Sequence, residues 1–371
     1  PIMHHLNAAH AADQRSRERN PEWGGRNRHL RSLRRQVACH IVSARLRRTQ
    51  DLIIDTDARV RHIGFLLVPG FAMMAFTSAI EPIRVANRLT VRPLYRWTLY
   101  SADGEPVSAG NGVTVMAHKA LTEDERLDLV LVCGGLAAHR YDDPKVLHWL
   151  RRQAAQGVAL GGLSTASYIL ARAGLLRGYR CTIHWESLPS FREAFPDIET
   201  SNRIYEIDRG RLTCSGGTTA MDMMLHMISE DSNPQVAAEI CRQLQHDRVR
   251  TAEDLQHQAE RLRLGRRSPR LADAVDLMAQ HIEDPLTPQE IAETVGLSLR
   301  QLERLCQQHV AATPHGYYLE LRLRHARRLL LETHMSVLEV SLAAGFSTQS
   351  HFTRCYRQSF GRTPTGERGL G

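Results

Sequence analysis

From Arg61 onward the chain alternates short apolar runs with amphipathic stretches. "HIGFLLVPG" is continuously apolar and ends in a Pro-Gly turn, the mark of a strand buried on both faces. "MAFTSAIEPIRVANRL" has helical spacing, with Pro82 as either a kink or a break. "YRWTLYSADG" alternates like a strand, "LDLVLVCGG" is a second buried strand, and "PKVLHWLRRQAAQ" is an amphipathic helix. "GVALGGL" then reads as a third strand and "STASYILARAGLL" as a helix. "GRLTCSGGTTAMDMMLHMISE" repeats the order of strand, glycine turn and long helix. Strands alternating with helices predict an α/β fold with a parallel sheet covered on both faces. Ligands of such sheets sit beyond the C-terminal ends of the strands. Here those ends carry Pro69-Gly70, Cys133-Gly134-Gly135, Ser164-Thr165 and Gly216-Gly217-Thr218.

The uncharged run from Ile63 to Ile80 spans 18 residues, but Pro69-Gly70 interrupts it. It reads as strand, turn and helix start rather than a membrane span. This α/β pattern fills residues 59–231. Residues 232–267 form a polar, arginine-rich connector that reads as partly helical, and from Ser268 to residue 367 the whole pattern is helical. Residues 1–58 are arginine-rich without a sustained period. They are expected to be a disordered basic tail or a spurious extension, with a DNA-binding arm or import peptide as the alternative.

The helical part contains a repeat. "LTPQEIAETVGLSLRQLERLCQQHVAATP" and "MSVLEVSLAAGFSTQSHFTRCYRQSFGRTP" align with Thr287 on Ser336, Gly296 on Gly345, Arg304 on Arg354 and Pro314 on Pro364. One extra residue in the second turn reconciles the offsets. Thr287 with Glu290, and Ser336 with Glu339, have capping-box spacing. Each first helix stops at a glycine, and a new cap follows: Ser298 with Gln301, then Thr348 or Ser347. Two short helices across a tight glycine turn make a helix-turn-helix, whose second helix enters a DNA major groove. Spacing turns Leu302, Leu305 and Val310 inward in one unit, and Phe352, Cys355 and Phe360 in the other. The opposite faces show Arg300, Glu303, Arg304 and Gln308, and Gln349, Ser350, Thr353 and Arg354. Arginine and glutamine are suited to base edges. "HGYYLELRLRHARRLLLE" between the units reads as a stiff helix of about 25 Å, suited to successive grooves.

Composition changes this picture little. The formal charge is +8, yet only Lys119 and Lys145 are lysines, and residues 268–371 carry 11 arginines against 11 acids. The repeat, not charge, carries the DNA reading; a purely structural bundle is the alternative. The 7 cysteines are scattered, odd in number and form no CxxC, which suits reduced cytoplasmic thiols and neither a disulfide frame nor a metal site.

Residues 268–366 resemble the DNA-binding domain of the AraC/XylS family of transcriptional regulators, above all in "AAGFSTQSHFTRCYRQSFGRTP". The resemblance implies that Arg300, Glu303 and Arg304 meet one groove and Gln349, Ser350, Thr353 and Arg354 the next. Residues 61 to about 230 resemble the ThiJ/PfpI branch of the class I glutamine amidotransferase-like, flavodoxin-like fold. The matching segments are "IGFLLVPGF", "LDLVLVCGG", "GGLSTASYILARAGLLRGYRCTIHW" and "CSGGTTAMDMMLHMI". The two together are the architecture of GlxA-type regulators. That resemblance implies promoter DNA, RNA polymerase and a second copy of the chain as partners, with no cofactor and no membrane. It also implies a small effector such as an amino acid or quaternary amine.

Enzymes of this superfamily place a cysteine at the strand-to-helix elbow, a histidine near it and an acid on a neighbouring strand end. Here Ser164 stands at the elbow beside Thr165, and Ala75 stands where the acid would be. A serine needs a base, and His184 with Glu186 or Asp222 is the hydrolase alternative. The favoured expectation is a binding pocket without chemistry. Gly134 and Gly135 would offer backbone N–H groups, and Ser164, Thr165 and Thr218 hydroxyls. His184 would line it, while Trp185 and Glu81 would face a cationic group.

Overall fold

The computed structural model describes residues 59–121, 125–256 and 268–368. The expected tail at 1–58 and the 257–267 part of the expected connector lie outside them. The front half opens with β1 (Arg61–Leu67), α1 (Met73–Leu89) and β2 (Tyr95–Ser101). Three short strands follow: β3 (Val107–Ser108), β4 (Thr114–Val115) and β5 (Lys119–Ala120). Then come β6 (Leu129–Cys133), α2 (Pro144–Ala155), β7 (Ala159–Leu163), α3 (Ser167–Arg172) and α4 (Leu188–Ala194). The half closes with β8 (Tyr205–Asp208), β9 (Arg211–Cys214), α5 (Thr219–Asp231) and α6 (Pro234–Gln243).

Seven strands form one sheet in the order β5-β2-β1-β6-β7-β9-β8. Every neighbouring pair is parallel except β8 with β9. All five residues of β6 are buried, as are six of seven in β1, so both faces of the sheet centre are covered. Leu66, Val130, Val132 and Leu160 pack with Trp149 and Leu150 of α2, Ile169 and Leu170 of α3, and Phe191 of α4. Pro82 lies within α1 without ending it. The predicted strand-and-helix order is therefore observed, with an antiparallel edge added at β8.

The rear half is all helix: α7 (Pro269–Gln280), α8 (Pro288–Thr294), α9 (Leu299–Val310), α10 (Pro314–Glu332), α11 (Val337–Ala343), α12 (Gln349–Phe360) and α13 (Pro364–Arg368). It has two small cores sharing α10. One joins Leu271, Ile291, Leu302, Cys306 and Tyr318. The other joins Leu323, Leu329, Leu330, Val340, Phe346, Phe352 and Tyr356. Among the described residues no helix is long and apolar enough to cross a membrane.

Candidate DNA interface and candidate effector site

Each helix-turn-helix unit is built by local chemistry. The Thr287 hydroxyl accepts the Glu290 N–H at 3.2 Å, and the Glu290 carboxylate accepts the Thr287 N–H at 2.7 Å. Ser336 and Glu339 repeat this box at 3.1 and 2.6 Å. Those backbone donors hold both carboxyls below the usual range for glutamate. Gly296 and Gly345 turn the chain with φ of 68° and 73°. Ser298 and Gln301 form a third box, whereas Thr348 caps α12 alone, so Ser347 is the extra turn residue.

The inward faces of α9 and α12 hold all the expected residues, but the fully buried positions are only partly those expected. Leu302 and Cys306, and Phe352 and Tyr356, are the fully buried pairs. Leu305, Val310, Cys355 and Phe360 are half-buried at the margins. The contact follows the i, i+4 row, because each short helix meets its neighbours along one inclined ridge.

The opposite faces form two open hollows. Arg300, Glu303, Arg304 and Gln307 line the first, between the caps Ser298 and Thr313. Gln349, Ser350, Thr353, Arg354, Arg357 and Gln358 line the second, beside the cap Thr363. The structure thus groups the seven residues that the resemblance assigns to DNA, while Gln308, expected on the same face, does not line the first hollow. It adds Gln307, Arg357 and Gln358, which lie one turn further along the same helix faces. Gln307 lies i, i+4 from Glu303, and Arg357 and Gln358 lie i, i+3 and i, i+4 from Arg354, which is the signal the sequence offers.

In the front half, β7 ends at Leu163 and the chain turns at Ser164 into α3. Ser164 has φ of 62°, an unusual conformation for a residue with a side chain. Its N–H donates to the Cys214 carbonyl at 3.1 Å, and its own carbonyl accepts the His184 N–H at 3.2 Å. The elbow is therefore held between the end of β9 and the turn at residues 184–187.

Several residues around the elbow are engaged within the fold. The Thr165 hydroxyl donates to the Gly135 carbonyl at 2.6 Å. The Gly134 N–H donates to the Leu163 carbonyl at 3.3 Å, and a Cβ at Gly134 would lie 2.5 Å from the Ala166 nitrogen. Gly135 bridges Phe71. Both glycines permit close packing, and the Gly134 N–H is spent within the fold rather than open to a ligand. The Thr218 hydroxyl accepts from Arg250 at 2.7 Å and is drawn into a network outside the elbow.

Glu81 also departs from expectation. Both its carboxylate oxygens accept from Arg84, at 2.6–3.0 Å, on the outside of α1. It lies two helical turns, about 12 Å, beyond the start of α1. Trp185 does face a cation, but the cation is Arg328 of α10, 4.7 Å above its ring.

The groups of the hydrolase alternative are engaged elsewhere. His184 Nδ1 accepts the Glu186 N–H at 3.3 Å. Asp222 is fully buried and accepts from Arg250 at 2.6 and 3.0 Å, with His246 3.0 Å away. Glu186 pairs with Arg328 at 3.3 Å. Ala75 is buried in the place of the acid. The thiols of Cys133 and Cys214, on the strand ends flanking the elbow, are pushed up by burial and stay protonated. No group of His, Cys, Asp and Glu suited to hold a metal ion occurs among the described residues.

Comparison with known proteins gives the same two-part division. Residues 62–230 match the DJ-1/PfpI family and residues 291–369 match a helix-turn-helix domain. The chain is 43% identical to the HTH-type transcriptional regulator GbdR of Pseudomonas aeruginosa over 306 residues, 82% of this chain and 83% of that protein. It is equally similar to the HTH-type transcriptional regulator CdhR of the same organism, at 43% over 82% of this chain and 91% of that protein. Its identity to the HTH-type transcriptional regulator GlxA of Rhizobium meliloti is 37%, over 84% of this chain and 96% of that protein.

Proposed function

This chain belongs to the GlxA-type transcriptional regulators of the AraC/XylS family, and from that premise we propose that it activates transcription in response to a small nitrogenous metabolite. In this reading α9 and α12 enter successive major grooves of promoter DNA. Arg300, Glu303, Arg304, Gln349, Ser350, Thr353 and Arg354 meet base edges there. The carrying observation is the pair of matched hollows on α9 and α12, with Arg304 and Arg354 in equivalent places, in units joined by one continuous helix. That helix, α10, has 19 residues, about 28 Å, and shares in both cores. It fixes the spacing of the two reading heads.

The front half binds the effector without turning it over. Its site is centred on Ser164, with the turn at His184 and Trp185 as one wall. The serine hydroxyl, the buried strand-end thiols and the engaged acids support binding rather than chemistry. The effector acts by favouring one arrangement of the two halves, which requires different affinities for each. Binding of the full chain to promoter and scrambled DNA at fixed salt tests the DNA part; equal affinity for both would overturn it. A thermal-shift screen of amino acids and betaines tests the effector part. A true effector raises the midpoint with concentration as mass action requires, and a screen with no such response would overturn the effector class.

A further inference from the structure

Arg328 and Glu332 stand one turn apart on α10, and both reach the front half. The Arg328 guanidinium lies over Trp185 and donates to Glu186 at 3.3 Å. The Glu332 carboxylate accepts from the Tyr168 hydroxyl at 3.3 Å and lies 3.5 Å from the Ser187 hydroxyl. Arg140 donates to the Leu331 carbonyl at 3.2 Å. Residues from α3, the 138–140 turn and the 184–187 turn therefore converge on one end of one helix.

Two features set this contact apart from a surface ion pair. Arg328 is only 25% exposed, and burial pushes the Glu332 carboxyl up from its usual value. Opposite charges half out of water are tolerated only while their partners stay in place. The contact also begins one residue from the elbow, because His184 bonds the Ser164 carbonyl and Trp185 follows it. The front-half wall of the effector site and the docking face for α10 are thus the same four-residue turn.

We propose that this turn and α10 form a latch: docking through Trp185, Glu186 and Ser187 holds the DNA-binding half in a state of low promoter affinity, and effector at the elbow releases it. The inference rests on the regulatory reading above. The sign follows from charge. Residues 268–371 have no net charge, so DNA affinity there depends on where acids lie. Docking neutralises Arg328 with Glu186 and holds the Glu186 carboxylate against the DNA-binding half. Release removes that acid and restores a cation.

Hydrogen–deuterium exchange on the full chain, without DNA, tests the docking. Arg328→Ala is expected to raise exchange at least fivefold both in residues 184–195 and in the last two turns of α10. Trp185→Phe should produce a smaller rise in the same two segments. Arg324 pairs with Glu320 on its own helix rather than with the 184–187 turn, so Arg324→Ala keeps Arg328 docked and should leave 184–195 unchanged. Unchanged exchange at 184–195 in Arg328→Ala would overturn the latch.

Its coupling is read on DNA that the wild type selects from random sequence. Arg328→Ala should bind that DNA at least threefold more tightly, although it has lost a cation. Bound DNA should in turn raise exchange at 184–195 in the wild type, because coupling is reciprocal. Equal or weaker binding by Arg328→Ala overturns the proposed sign and role. Failure of the wild type to select any sequence would overturn the regulatory reading instead, and the exchange result would still decide whether α10 docks.

Discussion

A Cβ on Gly216 would lie 2.7 Å from the Cβ of Ser164 and 2.9 Å from its hydroxyl oxygen. Gly216 has φ of 90°, and Ser164 itself sits at φ of 62°. The two strand ends therefore fit together only because one carries no side chain. Gly216→Ala combines a disfavoured backbone with a steric clash and is expected to cost roughly 2–4 kcal/mol. Ser164→Gly in that background removes the clashing atoms and the strained residue, and should return about 1 kcal/mol. Denaturant melts of both variants check this; no rescue by the second change would mean that the elbow is not the site of strain.

Ser164→Ala separates binding from chemistry. The variant keeps the Cβ and backbone bonds of the elbow and loses only the hydroxyl. DNA binding and the response to effector are expected to survive, with effector affinity changed by no more than one hydrogen bond, about 1 kcal/mol. A measurable hydrolytic turnover in the wild type that disappears in this variant would establish the hydrolase reading in its place.

Residues whose role is set by their near neighbours in sequence were legible. The cap at Thr287, its partner Glu290 and the turn at Gly296 lie within ten residues, so local pattern alone locates them. The buried strands are legible in the same way, since continuous apolar runs such as Leu129–Cys133 require cover on both faces. Less legible was what a strand-end glycine is for. Gly134 looks like an anion-binding donor in sequence, but it lets the Ala166 backbone approach, and only the fold brings that neighbour near. Trp185 is expected to meet a cationic ligand, and its ring meets a cation of the chain itself. That the cation is Arg328, distant in sequence and on a helix of the other half, leaves no local pattern to find.

Arg354 faces the second hollow, and its equivalent Arg304 faces the first. Arg354→Ala is expected to cost roughly 1–3 kcal/mol on the selected DNA and to relax base preference at one position. Arg357→Ala is the comparison. It stands at the rim of the same hollow, and a phosphate contact there would weaken binding to all sequences and lower the salt slope by about one. Titrations on matched and singly mismatched duplexes at several salt concentrations distinguish the two. A uniform loss for Arg354→Ala would remove it from the base-reading set.

The capping boxes give a stability test independent of DNA. Thr287→Ala and Ser336→Ala each remove the hydroxyl that accepts an N–H in the first turn of α8 or α11. Each is expected to cost about 1 kcal/mol. The two helices sit in separate cores, so the double variant should lose the sum of the single losses. A double loss well below that sum would show that the two units unfold separately rather than as one cooperative block.

His325 supplies the pH dependence. It lies on α10 one turn before Arg328, and burial, then the Arg328 charge, lowers its pKa to about 4. The unfolded chain has the ordinary histidine value near 6.5. Below that value the unfolded state binds a proton that the folded state refuses, so stability falls as pH drops. Its contribution is complete above pH 6.5 and is lost between about pH 6.5 and 4. His139, lowered by burial beside the same helix, acts in the same direction. The melting midpoint is therefore expected to fall between pH 7.5 and 5, and His325→Gln, which cannot take up a proton, should flatten that fall. An equal slope in the variant would assign the acid sensitivity to other groups and leave His325 without a part in it.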